Sequence, residues 1–170
     1  MKNPIRSRLI LSLLILIIVS SCGVKSEAEV VKDAKETTEN IFHMEEVIEP
    51  NQTLKFLSLY LPERLDVTDE DESNIILKDG GQTYILFNNN LENKKSELNY
   101  QSAQHPDALL LESFQDADRF GYIRIMPQQD ENYEMQVGIG GIKITTYTSK
   151  GKLNSDAEDL MKIVLSAQSN

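Results

Sequence analysis

The chain has 170 residues, of which 17 are basic and 27 are acidic, so its formal net charge is −10 near neutral pH. This length is enough for one domain with some chain to spare and is too short for two ordinary domains. The acidic balance argues against nucleic acid as a partner, because nucleic-acid-binding surfaces neutralise phosphates with lysine and arginine. A single cysteine excludes an internal disulfide bond.

The N-terminus has the layout of a secretory signal. Lys2, Arg6 and Arg8 form a basic start, and residues 9–19 are apolar except for Ser12. This apolar run is too short to cross a hydrocarbon core of about 30 Å, for which about 20 residues are needed. A polar, acidic stretch follows soon after it, so the pattern predicts a cleaved signal peptide rather than a transmembrane anchor.

A short motif, Val19-Ser20-Ser21-Cys22, closes this segment and resembles the lipobox of bacterial lipoproteins. The resemblance implies cleavage between Ser21 and Cys22, removal of residues 1–21, and a thioether-linked diacylglyceryl group on Cys22. Two acyl chains make such anchoring stable, since one chain binds a bilayer with a constant of only about 10⁴ M⁻¹. We therefore expect the mature protein to be acylated and held on the outer, extracytoplasmic face of the cell membrane.

Cleavage would make the protein still more acidic. Three of the 17 basic residues and none of the 27 acidic residues precede Cys22, so the mature chain has 14 basic residues and a net charge of −13. An acidic domain beside an anionic leaflet is repelled within a Debye length of about 8 Å. We expect the domain to be held away from the lipid.

Residues 22–50 are predicted to be the lipidated cysteine followed by a polar tether. The tether is rich in charged residues, yet apolar side chains recur at roughly helical spacing within residues 27–48. If helical throughout, this segment would reach about 33 Å at 1.5 Å per residue. Pro50 ends it, and a single domain is predicted over residues 51–170.

The domain alternates short β-like runs with turn residues. Residues 74–78 and 83–87 flank Asp79-Gly80-Gly81 and predict a hairpin, since glycine accepts positive φ without steric cost. Further strands are predicted at residues 53–61, 98–102 (a short edge strand), 108–114, 120–126, 133–139 and 142–148. In the last of these, alternation predicts one face with Ile142, Ile144, Thr146 and Thr148 and the other with Lys143, Thr145 and Tyr147. Strands joined this tightly pair antiparallel as a meander.

The chain closes on a predicted helix. Ser155 and Glu158 have the spacing of a capping box at its start. The first-turn acids Asp156, Glu158 and Asp159 suit the positive end of the helix dipole. One apolar stripe follows, formed by Ala157, Leu160, Met161, Val164, Leu165 and Ala167. A striped helix must lie on another surface, and the antiparallel sheet is the one available. The sequence thus predicts an α+β fold, a meander packed against a C-terminal helix, after an N-terminal tether that could be helical.

The region from Leu57 to Gln168 resembles the small α+β sandwich of Mog1/PsbP-type proteins. The residues that carry this resemblance are Leu59, Leu61, Pro62 and Glu63 at the front and Leu160, Ile163, Val164 and Ser166 at the back. The chain is also similar to small uncharacterised lipoproteins of spore-forming Gram-positive bacteria. The fold resemblance implies an accessory or binding role, and it names no partner.

Asp69, Glu70, Asp71 and Glu72 form the densest acidic cluster, which is interpreted as a loop. Consecutive carboxylates in a loop can bind a divalent cation weakly, and extracellular calcium modules work at about 10⁻⁴–10⁻³ M. A run of like charges is also typical of a plain solvated loop. These four residues are the only metal candidates that the sequence offers.

No catalytic motif stands out. The two histidines, His43 and His105, lie far apart in the sequence, so a metal site with closely spaced histidines is absent, and no Gly-x-Ser-x-Gly elbow occurs. No cofactor is predicted, and we expect the protein not to be an enzyme. The favoured function is a lipid-anchored accessory or binding domain; the alternatives are a cell-envelope enzyme that uses carboxylates alone and a structural spacer.

Overall fold

Residues 25–170 are described by a computed structural model of the protein, and they form an α+β fold. A seven-stranded antiparallel sheet packs against two helices, and a small three-stranded sheet accompanies it. The predicted fold class is confirmed, since the C-terminal helix lies on the sheet. The predicted signal peptide and the predicted cleavage and lipidation sites at Ser21 and Cys22 lie outside the described residues.

The helices are α1 (Glu27–Phe42), α2 (Leu98–Ser102) and α3 (Leu153–Ser166), with a 3-10 turn at Lys150–Lys152 before α3. The strands are β1 (Gln52–Thr53), β2 (Leu57–Leu59), β3 (Asp66–Glu70), β4 (Asn74–Asp79), β5 (Gln82–Asn88), β6 (Leu110–Gln115), β7 (Phe120–Pro127), β8 (Asn132–Ile139), β9 (Ile142–Ser149) and β10 (Gln168–Ser169). The large sheet has the order β3-β4-β5-β9-β8-β7-β6, so two meanders meet where β5 pairs with β9.

Helix α1 belongs to the packed body of the protein. It starts with a capping box, in which Ser26 Oγ accepts from the Glu29 amide and the Glu29 carboxylate accepts from the Ser26 amide. One face is buried against α3, β6 and β7 by Val30, Val31, Ala34, Thr38, Ile41 and Phe42. The predicted tether over residues 22–50 therefore includes a core helix, and packing begins well before residue 51. The helical spacing of the apolar residues outweighs the charged composition of the segment.

Helix α3 starts earlier than its sequence predicts. Its first residue is Leu153, which is fully buried, and the position before it is Lys152. Ser155 Oγ donates to the Lys152 carbonyl at 3.0 Å, so the predicted capping box of Ser155 and Glu158 is wrong. Because Leu153 is buried in the core, the helix begins about one turn before the expected cap. The predicted apolar stripe is confirmed, since its members are all buried or half-buried.

Most predicted strands are confirmed with small shifts at their ends. The hairpin of β4 and β5 turns at Gly80, which has φ +55°, and pairs Asp79 with Gln82. Strands β6 to β9 form the predicted meander. On β9 the predicted alternation also holds, because Ile144, Thr146 and Thr148 are buried while the intervening side chains are not.

Three local predictions are wrong in whole or in part. Residues 98–102 form helix α2 rather than an edge strand, and Asn99 holds the helix in place by donating to the Gly140 carbonyl at 2.9 Å. The predicted strand over residues 53–61 is divided into β1 and β2, which fold back on each other and pair antiparallel. The acidic segment interpreted as a loop is a loop only in its second half, because Asp69 and Glu70 belong to strand β3, which pairs with β4, while Asp71 and Glu72 lie in the turn between the two strands.

The core lies between the helices and one face of the large sheet, which we call the inner face. Its largest fully buried aliphatic residues on the sheet are Leu77, Leu86, Ile123, Ile125, Met135 and Ile144. On the helices, Phe42, Leu160 and Met161 have no exposed surface. Because a strand points successive side chains to opposite faces, the residues between these positions form a second face that neither α1 nor α3 covers.

Candidate functional site: the outer face of the sheet

The uncovered side of the large sheet, called the outer face, is the leading candidate for a functional surface. The strand register places Leu111, Arg124, Gln136, Thr145, Ile85 and Ile76 in one row across six strands. A second row contains Tyr122, Lys143 and Phe87. These residues come from chain segments far apart in sequence, and only the sheet brings them together.

The centre of the outer face contains a chain of hydrogen bonds between side chains. Tyr122 donates its hydroxyl proton to Gln136 Oε1 at 2.7 Å, and Gln136 Nε2 donates to Thr145 Oγ1 at 3.0 Å. Tyr122 and Gln136 are both buried, and burial raises the pKa of the Tyr122 hydroxyl well above its ordinary value. Each partner fixes the orientation of the next, so this part of the surface is rigid.

Two cationic side chains lie beside this chain of hydrogen bonds. Arg124 pairs with Glu134 and donates to the Ala103 carbonyl, while its Nε is buried and has no acceptor among the described residues. Lys143 Nζ lies 5.4 Å from the centroid of the Phe87 ring. Burial lowers the pKa of Lys143, and the positive charge of Arg124 lowers it further.

Apolar side chains surround the polar centre. Ile85 is 47% exposed and Tyr147 is 62% exposed, and both lie on the uncovered side of the middle strands. Ile76, Phe87, Leu111 and Met126 are half-buried around them. Helix α2 closes one corner of the face, where the Tyr100 ring packs edge-on against Phe120 and Tyr122. Beyond this corner, Ile85 and Tyr147 are the exposed large apolar side chains of the outer face.

The outer face is electrically balanced although the protein is strongly acidic. By strand register its charged side chains are Asp66, Asp69, Lys78, Arg124, Glu134 and Lys143. Three are positive and three are negative, whereas the chain after Cys22 has an excess of 13 acidic residues. The excess negative charge is therefore carried by the rest of the molecule.

A different polar network lies on the inner face and joins α3 to the sheet. Asp156, only 1% exposed, accepts hydrogen bonds from Arg64 and Tyr84, and also from Gln82 and Thr148. Arg64 binds two further carboxylates, those of Asp79 and Asp159, at 2.9 and 2.8 Å. All the polar atoms of Asp156 are engaged, so this carboxylate has a structural arrangement rather than that of a free base.

The electrostatics of this network follow from burial. Burial alone would lower the pKa of Arg64, but its hydrogen bonds with Tyr84 and Asp159 outweigh that effect and raise it. Burial also raises the pKa of the Tyr84 hydroxyl, so Tyr84 keeps its proton and donates it to Asp156. Sequence reasoning missed the network, because Asp156 was interpreted only as an acid favourable near a helix start.

An open groove of about 630 Å³ lies at one end of the sheet. Its walls are the β4–β5 turn, the β7–β8 turn and the end of β9, with Gln82, Gln129 and Tyr147 among its lining residues. Asp130 and Glu131 in the β7–β8 turn have φ of 58° and 54°, a conformation uncommon for residues other than glycine. Tyr147 thus borders both this groove and the outer face.

The predicted cation candidates do not converge on one point. Asp69 and Glu70 are successive residues of β3, and the Glu70 carboxylate accepts from the Lys55 amide at 3.2 Å. Asp71 accepts from the amides of Ser73 and Asn74, and these bonds lower its pKa. Glu72 is exposed. Within residues 25–170, no three histidine, cysteine, aspartate or glutamate side chains are placed to hold a metal ion.

Within the same range, no helix is both long enough and apolar enough to span a membrane. No protein-family model matches the chain, and no curated protein matches it significantly.

Proposed function

We propose that the protein is a lipid-anchored extracytoplasmic accessory protein that binds a partner protein through the outer face of its sheet. The lipobox-like sequence at Cys22 supports the location. The observation that carries the binding role is the uncovered, electrically balanced face with Ile85 and Tyr147 exposed at its middle strands.

The composition of the outer face fits a protein–protein interface. Interface centres are depleted of charge and enriched in aromatic residues, methionine and arginine, all of which occur on this face. Seven strands about 4.8 Å apart and about 20–25 Å long make a surface of roughly 600 Å² outside the corner under α2. Specific complexes bury about 800 Å² per partner, so the open face with its rim has a suitable size.

Charge favours a partner other than a second copy of the chain. Two copies would each bring 13 excess negative charges, and their mutual repulsion opposes self-association. A less acidic protein meets no such barrier. Lys143 has no carboxylate within ion-pair distance among the described residues, so a carboxylate on the partner's apolar surface would suit it.

A structural spacer is the weaker alternative, because a spacer has no use for exposed Ile85 and Tyr147 beside a rigid polar centre. The two functions differ in a crosslinking experiment on native membranes. A photoreactive amino acid at Ile85 should capture a partner, whereas the same group at Lys32 on the exposed side of α1 should not. A second substitution, Tyr147→Ala, should reduce the capture from position 85. Equal capture from both positions, or no capture from position 85, would contradict the binding role.

The membrane location has a separate test. Cys22→Ala should abolish incorporation of a fatty-acid probe and release the protein from the membrane fraction. The conservative control is Ser21→Ala, which keeps a small residue at the cleavage site and should preserve labelling. Continued labelling of the Cys22 variant would refute the lipid anchor.

A further inference from the structure

The distance between the lipid anchor and the folded body is short. Helix α1 begins at Glu27, with Ser26 as its capping residue. In the sequence only Gly23, Val24 and Lys25 separate Cys22 from Ser26. Even a fully extended chain spans at most about 3.6 Å per residue, so these four steps reach no further than about 14 Å. A helical tether of about 33 Å is therefore not available, because that segment is packed into the core.

The start of α1 identifies which end of the domain is attached. Tyr133 donates its hydroxyl proton to the Glu27 carboxylate at 3.0 Å, and Tyr133 is the second residue of β8, next to the β7–β8 turn. Lys25 and Lys150 line a common cavity of about 440 Å³, which brings the 3-10 turn before α3 to the same place. We call the β7–β8 turn, the 3-10 turn and the first residues of α1 the anchor end.

The other end of α1 lies at the opposite end of the sheet. Arg119, in the β6–β7 turn, donates to the carbonyl of Phe42, the last residue of α1, at 2.8 Å. Sixteen helical residues at 1.5 Å each place these two ends about 24 Å apart. The central strands run along the same direction, since β7 leads from the Arg119 turn to the anchor end and β8 returns.

The anchor end carries only a small part of the excess negative charge. Three lysines and five acidic residues give it a net charge of −2: Lys25, Lys150, Lys152, Glu27, Glu29, Asp33, Asp130 and Glu131. Most of the 13 excess acidic residues after Cys22 lie elsewhere on the domain. An anionic leaflet repels charge of the same sign within a Debye length of about 8 Å, so it repels the anchor end less than the rest of the domain.

We propose that the anchor end faces the lipid, so that the strands of the outer face run roughly perpendicular to the membrane. The partner that binds the outer face is then a polypeptide held at the same membrane surface. This inference rests on the proposed lipid anchor and binding face. Eight-residue strands are about 26 Å long. With the 14 Å link, the whole outer face lies within about 40 Å of the headgroups. An extracytoplasmic segment of a membrane protein or another anchored protein fits this position better than a freely diffusing one.

The orientation is tested without relying on lipidation in cells. The chain from residue 22 to 170 is coupled through Cys22 to a maleimide lipid in vesicles that contain acceptor-labelled headgroups. A donor dye is placed by a clickable amino acid at Gln129, at the anchor end, or at Asp118, in the β6–β7 turn. We expect strong energy transfer from position 129 and several-fold weaker transfer from position 118. Equal transfer, or stronger transfer from position 118, would overturn the orientation.

The nature of the partner is tested with a longer link. Twelve glycine and serine residues inserted between Val24 and Lys25 add roughly 19 Å of average reach and loosen the orientation. Capture of the partner from position 85 should fall several-fold if the partner is held at the membrane. Unchanged capture would show a freely diffusing partner and would refute this part of the proposal. No capture even with the natural link would instead count against the binding face itself.

Discussion

Two polar networks lie on opposite faces of the same sheet, and they differ in how many of their hydrogen-bonding groups have partners. On the inner face, Asp156 is almost fully buried and all of its hydrogen-bonding capacity is used by Arg64 and its neighbours. On the outer face, Arg124 keeps a buried Nε without an acceptor in the described part of the chain, and Tyr147 is largely exposed. The inner network is fully hydrogen-bonded, whereas the outer face has a buried donor that is not satisfied by the described residues and an exposed aromatic side chain beside it.

The difference indicates what each face contributes. A buried charge that loses its partner is costly, so the inner network should govern stability. An exposed aromatic residue contributes little to folding but is typical of the residues that dominate binding energy. Substitutions on the inner side should therefore unfold the protein, and substitutions on the outer side should leave it folded while removing the partner.

The largest expected loss of stability is at Phe42, the last residue of α1, because this side chain packs α1 into the core. Phe42 is fully buried and packs against Phe114, so Phe42→Ala should cost about 3–5 kcal/mol of unfolding free energy. Urea unfolding of residues 22–170 measures the loss. Val47→Ala is the control, because Val47 is 71% exposed and should change stability by less than about 0.5 kcal/mol. A similarly small loss at Phe42 would mean that α1 is a separate tether.

The next effect is expected at the centre of the inner network. Asp156→Ala leaves Tyr84 and Thr148 without their acceptor and removes one of the three carboxylates around Arg64. Because Arg64 keeps two carboxylates, we expect a loss near the lower end of the range for broken buried pairs, about 3 kcal/mol. Asp118→Ala, in an exposed turn, is the control in the same urea titration. If both variants unfold alike, the network does not hold α3 on the sheet.

The sequence was sufficient for the elements whose own pattern decides their structure. The apolar stripe of α3 and the alternation along β9 both give one face to the core, and both predictions are confirmed. Helix α1 carries the same kind of periodicity, but its charged composition led to its assignment as a tether. Periodicity was the better guide there, because burial of one face is what binds a helix to a domain.

Elements decided by distant contacts could not be predicted in this way. Helix α2 is short and is held by the bond from Asn99 to Gly140, 41 residues away. Strand β3 has a single apolar residue, Val67, between acidic ones, and it exists as an edge strand because β4 pairs with it. Neither segment has a local pattern that favours the structure it adopts.

The candidate site was only partly accessible from sequence. Alternation on β9 predicted that Lys143, Thr145 and Tyr147 share a face, which the structure confirms. Their neighbours depend on the pairing of β5 with β9, which links two separate meanders and leaves no local signal. Asp156 was detectable, because it lies four residues before Leu160 on the apolar stripe and a charged residue there needs a buried partner.

A smaller effect is expected in the polar centre of the outer face. Gln136→Leu removes the acceptor of the Tyr122 hydroxyl and the donor to Thr145, so it should cost about 1–2 kcal/mol. Gln115→Leu, at the exposed end of β6, is a matched control with no expected loss. Urea titration compares the two, and near-ultraviolet circular dichroism reports whether Tyr122 becomes more mobile. An unchanged free energy of unfolding would mean that the bonds on this face do not order it.

The smallest effect on stability, and the one that separates the two faces most clearly, is expected at Tyr147. The negative charge of Glu134 raises the pKa of Tyr147, so its hydroxyl stays protonated and neutral at physiological pH. Since its ring is mostly exposed, Tyr147→Ala should change the free energy of unfolding by less than about 0.5 kcal/mol.

A tyrosine at the centre of an interface is worth about 2 kcal/mol or more of binding, so capture of the partner should weaken by at least about tenfold. Leu91→Ala serves as the control, because Leu91 is 90% exposed but lies in the loop after β5. Equal capture by the two variants would show that exposure alone, and not position on the outer face, determines their effect.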